Sequence, residues 1–371
     1  ALGMRTLAVT LMSAGLLLGL AGPASAKTFH IIALGDSMTS GEGSPDVRAN
    51  RNGGVAVWRE DPLCHRSRNS YAQRAINALR AQIGSGHDIV FKNFACSGAK
   101  IVEGIYGAQL KRSSDGSQLP VESQLAQAQR WMQDEGITEV DAVIMSIGIN
   151  DIGFARLVTD CLNPFQFACT NSFRATLPAY FGIVEAGYRS TLRTSLEGRL
   201  SPEHIFVLEY PDPLRDSRGA FCDRYDDGYQ VLSGGPLYFF DARLPVLGRV
   251  ANISSAESSL SYSGVLRPLN LRIRDHVARN DSASSTAQWT YVDGIAAATR
   301  THGYCAGSAR YFNTLRDSNL KQNDLTGALH PNENGHQAMA DVLTSRILDT
   351  MDFSQTFTPP WWWSTGGRSL R

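Results

Sequence analysis

FHIIALGDSMTSGEG, residues 29–43, begins as an apolar run and ends in a turn rich in glycine and hydroxyl side chains. Ile31, Ile32, Ala33 and Leu34 follow one another without the polar alternation of a strand that keeps one face wet. The run therefore reads as a strand buried on both sides, as in a parallel sheet. Gly35, Asp36 and Ser37 close it where a strand would pass into a helix. Working outward, IVFKNFACSG (89–98), AVIMSIGIND (142–151), HIFVLEYPDP (204–213) and WTYVDG (289–294) repeat the pattern of an apolar run meeting a turn. Between them, 70–83, 121–135, 177–200, 266–279 and 335–348 place apolar residues at helical spacing. This alternation predicts an α/β domain in three layers, with helices on both faces of a five-stranded, mostly parallel sheet. The interval 214–288 is too long for an ordinary connection and reads as an insertion of irregular packed structure or small helices. It follows the fourth strand at the edge where ligand sites of open sheets lie, so a wall or lid over a site is expected there.

The chain has 371 residues, of which 19% are charged and 43% hydrophobic, a globular composition. Residues 1–26 carry Arg5, an apolar run and the small-residue exit Ala24-Ser25-Ala26, the pattern of a secretory signal peptide with the mature chain starting at Lys27. The apolar run is about 14 residues long, short of the roughly 20 that span a bilayer. The expected location is extracellular. The 35 Lys and Arg balance the 35 Asp and Glu, and no basic run stands out, so nucleic acid is excluded as an expected partner. A monomer is expected. The 6 cysteines follow the leader, and an even count in an exported chain favours disulfides. Six cysteines allow 15 pairings and count alone selects none; bridging in chain order is the expectation.

Ser37 is the sharpest nucleophile candidate, because a strand-to-helix turn can expose its hydroxyl. A turn or helix cap is the plain alternative, since serine is weak at neutral pH and needs a base. His330, just before Pro331-Asn332 and the last helical segment, is the candidate base, with one ring nitrogen for the serine proton and the other for an acceptor. Ser97-Gly98 and Gly148-Ile149-Asn150-Asp151 end the second and third strand candidates. If these turns meet Ser37, the backbone N–H groups of Ser37 and Gly98 and the Asn150 amide point at one developing oxyanion. His336 reads as structural. No compact HExxH pattern is present, and neither a metal nor a cofactor is expected.

GDSMTSGEG (35–43), NFACSGA (93–99), GIND (148–151) and HPNENGH (330–336) together resemble the four ordered blocks of the SGNH, or Gly-Asp-Ser-type, hydrolases. Secreted actinobacterial lipases, esterases and phospholipases are the most similar branch. The resemblance implies a flavodoxin-like fold, Ser37 as nucleophile, His330 as general base and then acid, and Ser37, Gly98 and Asn150 as oxyanion donors. It also implies the disulfides Cys64–Cys96, Cys161–Cys169 and Cys222–Cys305, HGYC (302–305) being similar to the late cysteine segment of these relatives. One position departs from the family pattern. An Asp commonly stands three residues before the histidine, and Gly327 stands there in this chain. Some secreted relatives use a backbone carbonyl two residues before the histidine, which implies the carbonyl of Ala328; Asp324 is the competing orienter, and Asp151 reads as turn support.

The expected function is therefore secreted ester hydrolysis, with an ester or lipid as substrate: a lipase, phospholipase or carboxylesterase. A carbohydrate O-deacetylase of the same fold and a non-catalytic secreted binding module are the alternatives. FTPPWWWSTGGRSLR (357–371) follows the domain proposed for 27–356, and its three tryptophans read as packing on the domain, as a tail, or as contact with a lipid interface.

Overall fold

The structure is a computed structural model that describes residues 27–353, apart from 51–53, 84–85, 114–115, 155–168, 224–229, 232–236, 240–241, 245–247 and 250–252. The expected leader, the tryptophan-rich tail and Cys161 lie outside the described residues, and with Cys161 the expected Cys161–Cys169 bridge.

The chain runs β1 (Lys27–Gly35), α1 (Ser37–Ser40), α2 (Tyr71–Gln82), β2 (His87–Asn93), β3 (Gln109–Arg112), β4 (Gln118–Val121), α3 (Gln124–Asp134) and β5 (Ala142–Ser146). It continues through α4 (Cys169–Ala186), a π-helical turn (Gly187–Leu192), α5 (Arg193–Leu200) and β6 (His204–Leu208). The short strands β7 (Gln230–Val231), β8 (Leu237–Phe239), β9 (Ala242–Leu244) and β10 (Gly248–Arg249) come next, then α6 (Ser255–Ser259) and a second π-helical turn (Leu260–Leu266). α7 (Arg267–Ala283), β11 (Gln288–Val292), α8 (Ile295–Thr299), α9 (Leu315–Gln322) and α10 (Glu333–Thr350) complete the order.

β1, β2, β5, β6 and β11 form the central sheet in the order β11-β6-β5-β1-β2, every neighbouring pair parallel. These are the five apolar runs found in the sequence. Each strand stops before its turn: at Asn93, Ser146, Leu208 and Val292, so that 94–98, 147–151, 209–213 and 293–294 are free to build a site. Counted along the chain the sheet order is 2-1-3-4-5, which reverses direction between β1 and β5, and ligand sites open at the carboxyl ends beside such a reversal. Ile31, Ile32, Ala33 and Leu34 have no exposed surface, nor have Val143, Ile144 and Met145 beside them, as burial on both faces requires.

Helix α2 packs against α10, and α3 against α5, while α7 packs against β11, α4 and the first π-helical turn. The crossovers thus cover the sheet from both sides. Local signals set the helix starts: Ser70 Oγ accepts from Gln73 N–H, Ser123 Oγ from Ala126 N–H, and the Asn332 side chain from the N–H groups of Asn334 and Gly335. The 121–135 reading begins three residues early, because Val121 ends β4 of an antiparallel hairpin that sequence periodicity does not reveal. Within the interval 214–288, α7 is an ordinary crossover helix packed on the sheet. Leu214, Cys222 and Tyr304 make a small second cluster, against which Ile253, Cys305 and Leu329 pack. Disulfides join Cys64 to Cys96 and Cys222 to Cys305.

Candidate active site

The serine turn is built by close approach. Gly35 has φ +133°, and a Cβ there would lie 2.4 Å from the Ser146 carbonyl oxygen; only glycine lets β1 end this near β5. The side chain of Gln124, the first residue of α3, replaces a missing strand neighbour: its Oε1 accepts from Gly35 N–H at 2.7 Å and its Nε2 donates to Gly35 O at 2.8 Å. Asp36 then caps α1, Oδ1 accepting from Met38 N–H at 3.0 Å, while Oδ2 accepts from the Tyr210 hydroxyl at 2.5 Å. Ser37 is the first residue of that short helix and is 2% exposed.

His330 reaches this turn from the loop between α9 and α10. Asn313 holds the loop: its backbone carbonyl accepts from Leu329 N–H, its own N–H donates to His330 O, and its side-chain Nδ2 donates to Gly43 O at 2.9 Å. The imidazole Nε2 lies 2.8 Å from Ser37 Oγ, and Nδ1 lies 3.2 Å from the Ala328 carbonyl. With a carbonyl at Nδ1, that nitrogen carries the proton and Nε2 presents its lone pair to the serine hydroxyl. Burial pushes the His330 pKa below its ordinary value, opposed by the charge of Glu42 and by the carbonyls of Ala328 and Thr326. The ring is therefore neutral near pH 7, the form a general base requires. Asp324 faces elsewhere, its Oδ1 accepting from the backbone and hydroxyl of Thr326 and from Gln322 Nε2.

The turn after β2 is pinned by the Cys64–Cys96 bridge, by the Ser97 N–H bond to Cys64 O at 3.1 Å, and by Arg66, whose guanidinium donates to the carbonyls of Phe94 and Ala95. Gly98 sits there at φ +81°. Asn150 donates from Nδ2 to Ala99 O at 3.0 Å, which uses one of the two amide hydrogens and leaves the other for a ligand. Asp151 accepts the Ile101 N–H at 3.2 and 3.3 Å and so ties the two turns together; burial pushes its carboxyl up to about 7. Tyr210 joins a third turn to these, its hydroxyl accepting from Ile149 N–H at 3.3 Å while donating to Asp36.

Ser37, Asn150 and His330 line one apolar cavity with Met38, Phe154, Pro213, Leu266 and Leu329, enclosing 40 Å³. Gly98 and Asn150 line a second, polar cavity of 470 Å³ with Glu42, His65, Lys111 and Thr326. Asn150 is shared by both. The structure thus brings Ser37 and His330 into hydrogen bond and puts Asn150 on the same cavity, while Gly98 lines the second cavity, joined to the first through Asn150.

His336 accepts from Tyr71 N–H at Nδ1 and donates from Nε2 to Glu42 O, buried and pushed down to about 3. It is a packing residue. Among the described residues no group of three or more His, Cys, Asp or Glu is arranged to hold a metal ion, and no helix is long and apolar enough to cross a membrane. Glu42, His65, Gln124 and Tyr210 escaped the sequence reading. A charged residue inside the serine block was the one signal available for Glu42; the others are joined to the site only by the fold.

The chain belongs to the GDSL-like lipase/acylhydrolase family, whose model matches residues 31–343. It is accordingly a carboxylic ester hydrolase of the SGNH type. Among solved structures, phospholipase A1 from Streptomyces albidoflavus is 20% identical with a TM-score of 0.48, the match covering 85% of this chain and 98% of that one. The extracellular lipase from Streptomyces rimosus is 20% identical with a TM-score of 0.47, covering 85% of this chain and 99% of that one. A family two carbohydrate esterase from Clostridium thermocellum is 14% identical with a TM-score of 0.35, covering 87% of this chain and 64% of that one. A search of curated proteins gives no match.

Proposed function

We propose that the protein is an exported serine esterase that cleaves lipid-type acyl esters through an acyl-enzyme on Ser37. Ser37 Oγ attacks the ester carbonyl while His330 Nε2 takes its proton. The C–O π pair moves to oxygen, and the oxyanion lies against the N–H groups of Ser37 and Gly98 and the free amide hydrogen of Asn150, where charge appears in the transition state. Collapse expels the alcohol, which takes the proton from His330. Water then adds to the acyl-enzyme, giving its proton to His330, and Ser37 leaves with that proton as the acid departs. The carbonyl of Ala328 orients the imidazole throughout.

The 2.8 Å contact between Ser37 Oγ and His330 Nε2 carries this reading. Ser37 and His330 line the apolar cavity and Asn150 joins it to the second one, which supports an ester whose acyl part is apolar and whose alcohol part is polar. Pro213 and Leu266, which flank the segment that holds β7 to β10, line the acyl side. Two disulfides suit an exported chain.

A second reading is favoured by one observation. The apolar cavity encloses only 40 Å³ beside a cavity of 470 Å³ among whose lining are Glu42, His65, Gln109 and Lys111, which also suits removal of an acetyl group from a carbohydrate. Initial rates on p-nitrophenyl esters of increasing chain length, on phospholipids and on acetylated xylan, with Ser37→Ala as control, separate the two. Rates that rise beyond acetate and extend to lipid support the first reading; cleavage of acetate alone, with release from xylan, supports the second; turnover undiminished in Ser37→Ala overturns both.

A further inference from the structure

Three residues before His330, where the family pattern has a carboxylate, the space is already occupied. A Cβ on Gly327 would lie 2.3 Å from Gln322 Oε1 and 2.8 Å from Gln322 Cδ. That same amide donates from Nε2 to Glu42 Oε1 at 2.7 Å. Glu42 has no exposed surface, and its carboxylate also accepts from His65 Nδ1 at 2.8 Å, from Ser97 Oγ at 2.7 Å and from Thr326 Oγ1 at 3.1 Å. Thr326 works in two directions, its single hydroxyl hydrogen shared between Asp324 Oδ1 at 2.6 Å and Glu42 Oε1 at 3.1 Å and its backbone carbonyl given to His330. The Gly43 backbone beside Glu42 is packed on the histidine, so that a Cβ at Gly43 would meet His330 Cβ at 3.0 Å. A buried carboxylate from the nucleophile's own turn is thus fixed against the loop that carries His330, by donors from separate elements.

We propose that Glu42 is the positioning residue that replaces the carboxylate absent at 327: its buried negative charge stabilises the imidazolium formed when His330 takes the Ser37 proton, and its bonds to Gln322 and Thr326 fix the loop whose carbonyls hold Nδ1. The proposal rests on the Ser37–His330 reading above. It explains why glycine is tolerated at 327, since a side chain there would displace the amide that anchors Glu42.

The charged and titratable groups around Glu42 set the sign of the effect. Burial disfavours its ionised form, but His65 and the hydrogen bonds outweigh this and hold the carboxyl well below the usual range. His65, stacked on Trp58 at 4.4 Å, is pushed up by Glu42 against its own burial. Asp324 is pushed up by burial and by Glu42, while His336 is buried and neutral. Lys111 donates to Ser97 O across the polar cavity. At His330, Glu42 raises the pKa and His65 lowers it by less.

Two variants remove the Glu42 charge by different routes. Glu42→Gln keeps the shape and removes the charge; the acidic limb of kcat/KM moves to lower pH by about 0.5 to 1 unit and the plateau falls by about 10- to 100-fold, less than the roughly 10⁴ known for a carboxylate in direct contact. His65→Gln removes the group that holds Glu42 ionised against its burial, so the carboxyl takes up a proton and the limb again moves to lower pH. Profiles are read on purified protein whose fold is checked by thermal melting, with organophosphonate labelling of Ser37 measured on the wild type. Downward shifts in both variants, or in His65→Gln alone where Glu42→Gln does not fold, support the proposal. An unmoved limb or an upward shift in the folded variants overturns it, while the labelled wild type leaves the hydrolase reading intact. A wild type that does not label overturns that reading and the proposal with it.

Discussion

Asp36→Asn tests the construction of the serine turn through its pH dependence. Asp36 is fully buried, and burial pushes its carboxyl up to about 7 against the pull of the Tyr210 hydroxyl and the Met38 N–H. In the unfolded chain the same group titrates near its ordinary value of about 3.9. Between pH 5 and pH 8 the folded protein gives up this proton while the unfolded chain has already lost it. Stability fully present below the unfolded pKa is therefore lost as pH rises through 7, by about 3 kcal/mol for the two pH units between 5 and the folded value. Asparagine keeps the cap on Met38 N–H and does not titrate. The stability of the variant relative to wild type should rise by about 3 kcal/mol on going from pH 5 to pH 8. Urea denaturation of both proteins at both pH values measures this double difference, in which Asp151, raised to about 7, and His336, lowered to about 3, cancel. A double difference within about 0.5 kcal/mol of zero, or one of opposite sign, would refute a protonated Asp36 beneath the nucleophile.

Asn150→Ala removes the side-chain donor of the oxyanion site and should lower kcat by about 100- to 1000-fold. An unchanged rate constant in steady-state assays would remove Asn150 from the mechanism. Replacing Cys64 and Cys96 by serine opens a loop with a sequence separation of 32 and should cost about 2–5 kcal/mol in chemical denaturation. Because Ser97 N–H hangs on Cys64 O, the same variant should lose kcat at temperatures where it is still folded; full activity there would show that the bridge does not hold the Gly98 turn.

What the sequence makes legible follows from how far apart the interacting groups lie. Strands buried on both faces read as unbroken apolar runs, so β1, β2, β5, β6 and β11 stand out, and each carries its functional turn directly behind it. Ser37 and His330 were recognisable from the residues beside them although 293 positions separate them. The hairpin β3–β4 was not, because Gln-Leu-Lys-Arg and Gln-Leu-Pro-Val are short, largely exposed and nearly without alternation. Neither of the π-helical turns breaks the helical spacing enough to be seen. Tyr210 meets Asp36 across 174 positions, and Gln124 meets Gly35 across 89; nothing in their own neighbourhoods marks these side chains as support for a turn elsewhere. The Ala328 carbonyl, 3.2 Å from His330 Nδ1, was named only through the family resemblance, because a backbone carbonyl leaves no residue type to read. Glu42 is the instructive case, since its charge lies within the quoted block, yet only the fold brings His65, Ser97, Gln322 and Thr326 around it.

The most direct test of the central claim is intact-protein mass spectrometry of the purified protein after exposure to a p-nitrophenyl phosphonate ester. One phosphonyl group should add to the peptide containing Ser37, with release of one equivalent of p-nitrophenol and loss of esterase activity, and Ser37→Ala should gain no mass. A mass increase on another residue, or none while ester cleavage continues, would contradict a nucleophile at Ser37 activated by His330.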